Sequence, residues 1–86
     1  KKVKVPILAA KVYPNPTASE FFIEIQDEMH GEINIVVMDY LGKVIDSMRT
    51  TEHQLKIDLS GNTQGVYFIK IFNDKNSSTS KLILTH

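Results

Sequence analysis

Residues 20 to 26 read Glu-Phe-Phe-Ile-Glu-Ile-Gln, with Phe21, Ile23 and Ile25 at one parity and Phe22, Glu24 and Gln26 at the other. A period of two sends alternate side chains to opposite faces of a pleated strand, and no helix keeps such a set on one side. The same feature recurs along the chain in short β-branched and aromatic runs, each stopped by turn residues. Ala9 to Tyr13 is closed by Pro14-Asn15-Pro16. Glu32 to Tyr40 groups Ile33, Ile35, Val37 and Asp39 opposite Val36, Met38 and Tyr40, so part of this run is expected to be covered on both faces. Leu41-Gly42 marks a tight reversal into Lys43 to Arg49, with Gly42 supplying a positive φ. His53 to Leu59 alternates through Leu55, Ile57 and Leu59. After the polar turn Ser60 to Gln64, Gly65 to Asn73 sets Tyr67, Ile69 and Ile71 against Val66, Phe68 and Phe72. Asp74 to Ser78 reads as a turn, and Thr79 to Thr85 closes the chain with Leu82 and Leu84 facing away from Ile83.

Seven such runs at intervals of roughly 8–12 residues predict an antiparallel sandwich. The connections are too short for parallel crossovers, which take about a dozen residues or more. No window favours helical spacing over alternation. Several runs carry one apolar and one polar face, which favours two packed sheets over a closed barrel.

A chain of 86 residues is enough for one domain. With 42% hydrophobic and 23% charged residues, it has the balance of a chain that folds rather than a disordered tail. Cysteine is absent, so packing must hold the domain together without disulfides. Ten basic residues offset ten acidic ones, which gives no bulk field for nucleic acid or an anionic membrane, and no apolar run approaches the ~20 residues of a membrane span. Lys1, Lys2, Lys4 and Lys11 gather at the start, and residues 1–10 read as a soluble lead-in to a domain over 11–86. The first residue is Lys and no signal-peptide pattern follows it, so the chain is expected to be a piece cut from the end of something longer.

Catalytic and metal-binding patterns are lacking. His30, His53 and His86 stand far apart, with no spacing that zinc uses, and surface histidine is the expectation. Asp27-Glu28 and Asn73-Asp74-Lys75-Asn76 are oxygen-rich, but the second holds a lysine and lacks the bidentate glutamate of a calcium loop. Both are expected to be solvated turns. No Gly-x-Ser-x-Gly elbow is present, and Gly31, Gly42, Gly61 and Gly65 are dispersed rather than gathered into a phosphate-binding loop. The aromatics Phe21, Phe22, Tyr67, Phe68 and Phe72 suggest a stacking platform, but alternation assigns at least half of them to the core and the groove is expected to lack basic neighbours. No enzyme activity, cofactor or metal is expected.

Four stretches together resemble a known family. They are Val12-Tyr13-Pro14-Asn15-Pro16; Val37-Met38-Asp39-Tyr40-Leu41-Gly42-Lys43-Val44; Ile57-Asp58-Leu59-Ser60 leading to Gly65-Val66-Tyr67-Phe68-Ile69-Lys70-Ile71; and Lys81-Leu82-Ile83-Leu84. In this order and spacing they are similar to the type A C-terminal sorting domain of the type IX (Por) secretion system, from about Lys11 to His86. The resemblance implies an all-β, seven-stranded, antiparallel immunoglobulin-like β-sandwich at the end of a larger cargo protein. It implies export across the inner membrane, recognition in the periplasm by an outer-membrane translocon, and delivery to the cell surface or medium. It also implies a sortase that removes the domain from the upstream cargo, acting in residues 1–10 or just before them. Nucleic acid and direct membrane insertion play no part in such a role. The residues carried by the resemblance are Pro14, Asn15, Pro16, Gly42, Lys43, Gly65, Tyr67, Lys81, Leu82, Ile83 and Leu84. One departure is the ending Leu84-Thr85-His86, where family members often close on a basic residue.

These residues also have physical readings of their own. Pro14 and Pro16 lack N–H donors and stop the first strand, and Asn15 between them shapes the turn. Gly65 allows a bend or a close backbone approach. Tyr67 offers a ring to the core and a hydroxyl that needs a partner once buried, as in tyrosine corners. Thr79 to Thr85 is expected at a sheet edge, open to capture by an added strand. The competing expectation is an immunoglobulin-like or fibronectin-like module that binds carbohydrate or protein, which a shallow row of exposed aromatics would favour.

Overall fold

The computed structural model describes residues 10–25 and 31–85. Within them the chain forms β1 (Ala10–Tyr13), β2 (Glu20–Ile25), β3 (Ile33–Asp39), β4 (Val44–Thr50), β5 (Gln54–Asp58), β6 (Gly65–Phe72) and β7 (Ser77–Leu84). They pair antiparallel throughout, as a three-stranded sheet β1-β2-β5 and a four-stranded sheet β4-β3-β6-β7. This is the expected all-β sandwich. No helix of the described residues is long and apolar enough to cross a membrane.

Alternation decides which side chains meet between the sheets. From β2 come Phe21, Ile23 and Ile25; from β3 come Ile33, Ile35 and Val37; from β6 come Tyr67, Ile69 and Ile71. Leu82 and Leu84 of β7 join them, with Ile57 and Leu59 from the other layer. All are buried, and each large aliphatic or aromatic side chain removed from water contributes about 1.5–3 kcal/mol. No buried side-chain polar atom among the described residues lacks a hydrogen-bond partner.

Three details depart from the expected pattern. Strand β7 begins at Ser77, not Thr79. The cause is Asn73, whose Oδ1 accepts from the N–H groups of Lys75 and Asn76 at 2.9 and 2.7 Å, while its own N–H reaches the carbonyl of Asn76. That closes the turn by Asn76 and frees Ser77 and Ser78 for the ladder. Second, the outer face of β3 is not covered. Val36 and Met38 are half-buried by neighbours in their own sheet, and no further layer of the described residues lies over them. Third, only Phe21 and Tyr67 of the five aromatics are in the core; Phe68 and Phe72 are half-buried on the outer face, and Phe22 is exposed.

The β3–β4 hairpin holds a bulge. Val37 pairs with Asp46 but Met38 pairs with Val44, so Ile45 is the extra residue, and it packs against the core. The expectations for residues 1–9, for Asp27-Glu28, and for His30 and His86 concern residues outside those described.

Candidate functional site

The register brings the four motif stretches to one end of the sandwich. Gly65 lies opposite Leu84, and Tyr67 opposite Leu82. On its other side Tyr67 lies opposite Asp39, whose strand ends in the turn holding Gly42 and Lys43. Pro14-Asn15-Pro16 follows β1 and lies against the last strand. The opposite end holds Ala10 beside Ile25, and Ile33 beside Thr50. The chain therefore enters β1 at one pole, and the motif residues gather at the other.

The two outermost stretches touch directly. Asn15 donates from Nδ2 to the carbonyl of Lys81 at 2.8 Å, and its Oδ1 accepts from the N–H of Ile83 at 2.9 Å. Two residues on, Thr17 donates its N–H to the carbonyl of Ile83 at 2.9 Å and accepts from the N–H of Thr85 at 2.8 Å. Thr17 and Leu84 thus form a parallel bridge, and Thr17 is buried. Its hydroxyl bonds the carbonyl of Glu20, which fixes the approach to β2. The peptide bonds before Pro14 and Pro16 are both cis. A side-chain amide followed by a backbone amide here serves as a short extra strand along β7. The edge expected to lie open over Thr79 to Thr85 is consequently occupied from the Lys81 carbonyl onward.

The other motif residues divide between core and surface. Tyr67 is buried, and its hydroxyl donates to the carbonyl of Thr63 at 2.5 Å, four residues upstream. That is the geometry of a tyrosine corner, and it ties the Ser60–Gln64 turn to β6. Leu82 and Leu84 are core residues and Ile83 is half-buried. Pro14, Asn15, Pro16, Gly42, Lys43 and Lys81 are exposed. Gly42 has φ +85° and Gly65 has φ +145°. A Cβ at Gly65 meets open space, so backbone conformation rather than close approach explains the glycine there.

Asp39 falls on a strand face and within the second motif stretch but not among the residues singled out, yet it organises the turn at this pole. Its Oδ1 accepts from the N–H groups of Leu41 and Lys43, both at 2.9 Å, while its main chain bonds Gly42 and Lys43. An Asp three residues before Gly42 is the available signal. Thr17 and Thr63 carried no comparable signal, because their partners are set by tertiary structure.

Asp58 does similar work at the end of β5. Its carboxylate accepts from the N–H of Ser60 at 2.8 Å, and this bond, with the Ser60 side chain second, holds its pKa below the usual carboxylate value. No group of three or more His, Cys, Asp or Glu residues among the described residues is placed to hold a metal ion.

The outer faces differ in charge. On the four-stranded sheet Lys81 lies opposite Phe68, and the Lys70 ammonium sits 5.1 Å from the Phe72 ring centroid. The groove expected to lack basic neighbours therefore has them: Lys81 reaches Phe68 from another strand, and Lys70 lies two residues from Phe72 within β6. On the three-stranded sheet Tyr13 and Phe22 stack with centroids 5.7 Å apart, amid Glu24, Gln54 and Lys56.

Fold and site together define a small immunoglobulin-like β-sandwich whose first inter-strand loop is bonded to its last strand. The family described as a secretion system C-terminal sorting domain matches residues 11–85, and the chain belongs to that family, the type IX sorting domains. It is 29% identical over 73 residues to β-agarase A of Zobellia galactanivorans, covering 85% of this chain and 13% of that protein. The chain therefore spans only a small part of that relative. A solved structure of PorZ, an essential bacterial surface component of the type-IX secretion system of Porphyromonas gingivalis, superposes with a TM-score of 0.72. The match is 18% identical and covers 90% of this chain and 11% of that one, which shows a shared fold.

Proposed function

We propose that this sorting domain presents the pole built from Asn15, the Asp39–Lys43 turn and the end of β7 to an outer-membrane translocon. A cargo domain joined upstream of Ala10 then trails from the opposite end. The observation that carries this reading is the convergence of the four stretches on the pole remote from the chain's entry into β1. A folded label read at one end leaves its other end open to a sortase acting in residues 1–10. In this account the domain passes through the periplasm as an address and does no chemistry of its own. Its destination is the cell surface or the medium.

Fusing residues 1–86 behind a reporter, with Lys43 and Lys81 replaced singly, tests the assignment. Surface delivery is expected to fall for these exposed positions while the fold persists. Equal loss on replacing Lys11 or Gln54, exposed on the three-stranded sheet near Ala10, argues against a pole-specific reader.

A second reading is a carbohydrate- or protein-binding module, and the Tyr13–Phe22 pair is its one specific support. The two rings stack on each other rather than forming a row. Glycan binding that disappears in Y13A and F22A would establish it.

A further inference from the structure

We infer that the first half of β7, from Ser77 to the N–H of Lys81, takes an added strand from an extended partner segment that bears an acidic side chain. This rests on the sorting reading and extends the surface that is read from the motif pole along β7 toward the opposite end, where Ser77 lies opposite Phe72.

Backbone geometry selects the place. Along β7 the N–H and C=O of each residue point to one side, and the sides alternate. Ile83 turns both groups away from β6, toward Asn15 and Thr17, so the other odd-numbered residues do the same. The N–H and C=O of Ser77 and Thr79 and the N–H of Lys81 therefore face the open edge, where no described residue pairs with them. Beyond that point Asn15 and Thr17 fill the edge, so an added strand has room only alongside Ser77 to Lys81.

Composition singles out the same stretch. Folded sheets blunt their edges with charge, proline, bulges or brevity. Strand β4 has the Ile45 bulge with Asp46 and Arg49; β1 is four residues long and contains Lys11; β5 is five residues long, with Lys56 and Asp58. Ser77-Ser78-Thr79-Ser80 has none of these devices.

Charge identifies the occupant. The outer face of the four-stranded sheet displays Arg49, Lys70 and Lys81, and strand alternation places no Asp or Glu of its four strands on that face. Arg49 already pairs with Glu32 at 3.5 Å. Lys81 has no carboxylate partner among the described residues, and a residue of an added strand beside it projects from the same face. An Asp or Glu there completes the pair.

Proline separates edge from ladder. Thr79→Pro removes an N–H that faces outward and leaves the β6 pairing intact, as edge prolines do. Lys56→Pro makes the matching change on β5, where the N–H of Leu59 faces Ser19 across the sheet, which turns that of Lys56 outward. In reporter fusions of the 1–86 chain in a type IX-competent bacterium, T79P is expected to lower surface delivery by roughly tenfold or more, the worth of one lost backbone bond with its docking fit. K56P is expected to stay within about twofold of the unaltered fusion. Circular dichroism and thermal unfolding of the purified fusions confirm folding. If T79P does not fold, K81E decides, because an exposed charge reversal spares the fold; it too is expected to lower delivery. Equal delivery of T79P and the unaltered fusion, equal loss in T79P and K56P, or unimpaired delivery of K81E in place of an unfolded T79P overturns the inference. Concentration-dependent dimerisation that T79P abolishes, with delivery intact, also overturns it, because the edge then serves a second copy. Failure of the unaltered fusion to be delivered is a different result and brings down the sorting reading itself.

Discussion

The carboxamide of Asn15 bonds both the carbonyl of Lys81 and the N–H of Ile83, bridging 66 and 68 positions of sequence. An amide side chain reproduces the donor–acceptor pair of a peptide group, so it pairs with a strand edge as another strand would. This single residue joins the loop between β1 and β2 to the last strand of the other sheet. Asn15→Ala removes both bonds and is expected to cost about 1–2 kcal/mol, since water replaces them at this exposed site. Asn15→Asp keeps the acceptor but sets a carboxylate against the Lys81 carbonyl. Urea unfolding measures the loss, and faster amide exchange at Ile83 locates it. Unchanged exchange there in N15A contradicts the assigned role.

The Tyr67 hydroxyl gives a second handle, because ring and hydrogen bond can be removed separately. Y67F leaves the Thr63 carbonyl without its donor, and a loss of about 1–2 kcal/mol is expected. Y67A also empties a core position and is expected to cost about 3–5 kcal/mol. Denaturant midpoints for the pair separate the two contributions. A Y67F chain as stable as the original shows that the corner does not hold the turn.

At the β3–β4 turn, Asp39 satisfies two backbone donors with one oxygen. D39A is expected to destabilise by about 1–2 kcal/mol, and D39N, which keeps an acceptor, by less. The order of the two variants in a thermal melt is the check; D39N falling below D39A is the contrary result.

Stability in acid should depend on Asp58. Its folded pKa lies below the unfolded value because the Ser60 N–H favours the carboxylate. The contribution is complete at neutral pH and starts to fall as pH drops toward the unfolded pKa, about 4. It is lost as pH passes through the folded value. The stability gap between the natural chain and D58N is therefore expected to be largest near neutrality and to shrink in acid. Melting temperatures of both chains between neutral pH and strong acid show whether the gap closes. A gap that widens on acidification refutes the assignment.

How much of this was legible beforehand follows from the range of each interaction. Alternation in Glu20–Ile25 or Gly65–Phe72 is written in neighbouring residues, so strands, facing and core followed directly from it. The pairing of Asn15 with β7 was not legible, since nothing local distinguishes a turn-forming Asn from one that reaches a distant edge. The same holds for the pairing of Lys81 with Phe68, which come from different strands and meet only through the register, whereas Lys70 and Phe72 share a face of β6 two residues apart. Ser77 and Ser78 read as turn because serine disfavours strands locally, and the early closure by Asn73 overrode that preference. The resemblance supplied the motif residues as a set, and the register supplied their common pole.

Delivery of a reporter bearing residues 1–86 at its C-terminus, compared in a type IX-competent bacterium and in the same strain with that system deleted, puts the assignment to its most direct trial. The account predicts surface or medium appearance in the competent strain and periplasmic retention in the other. Retention in both, or release in both, contradicts it.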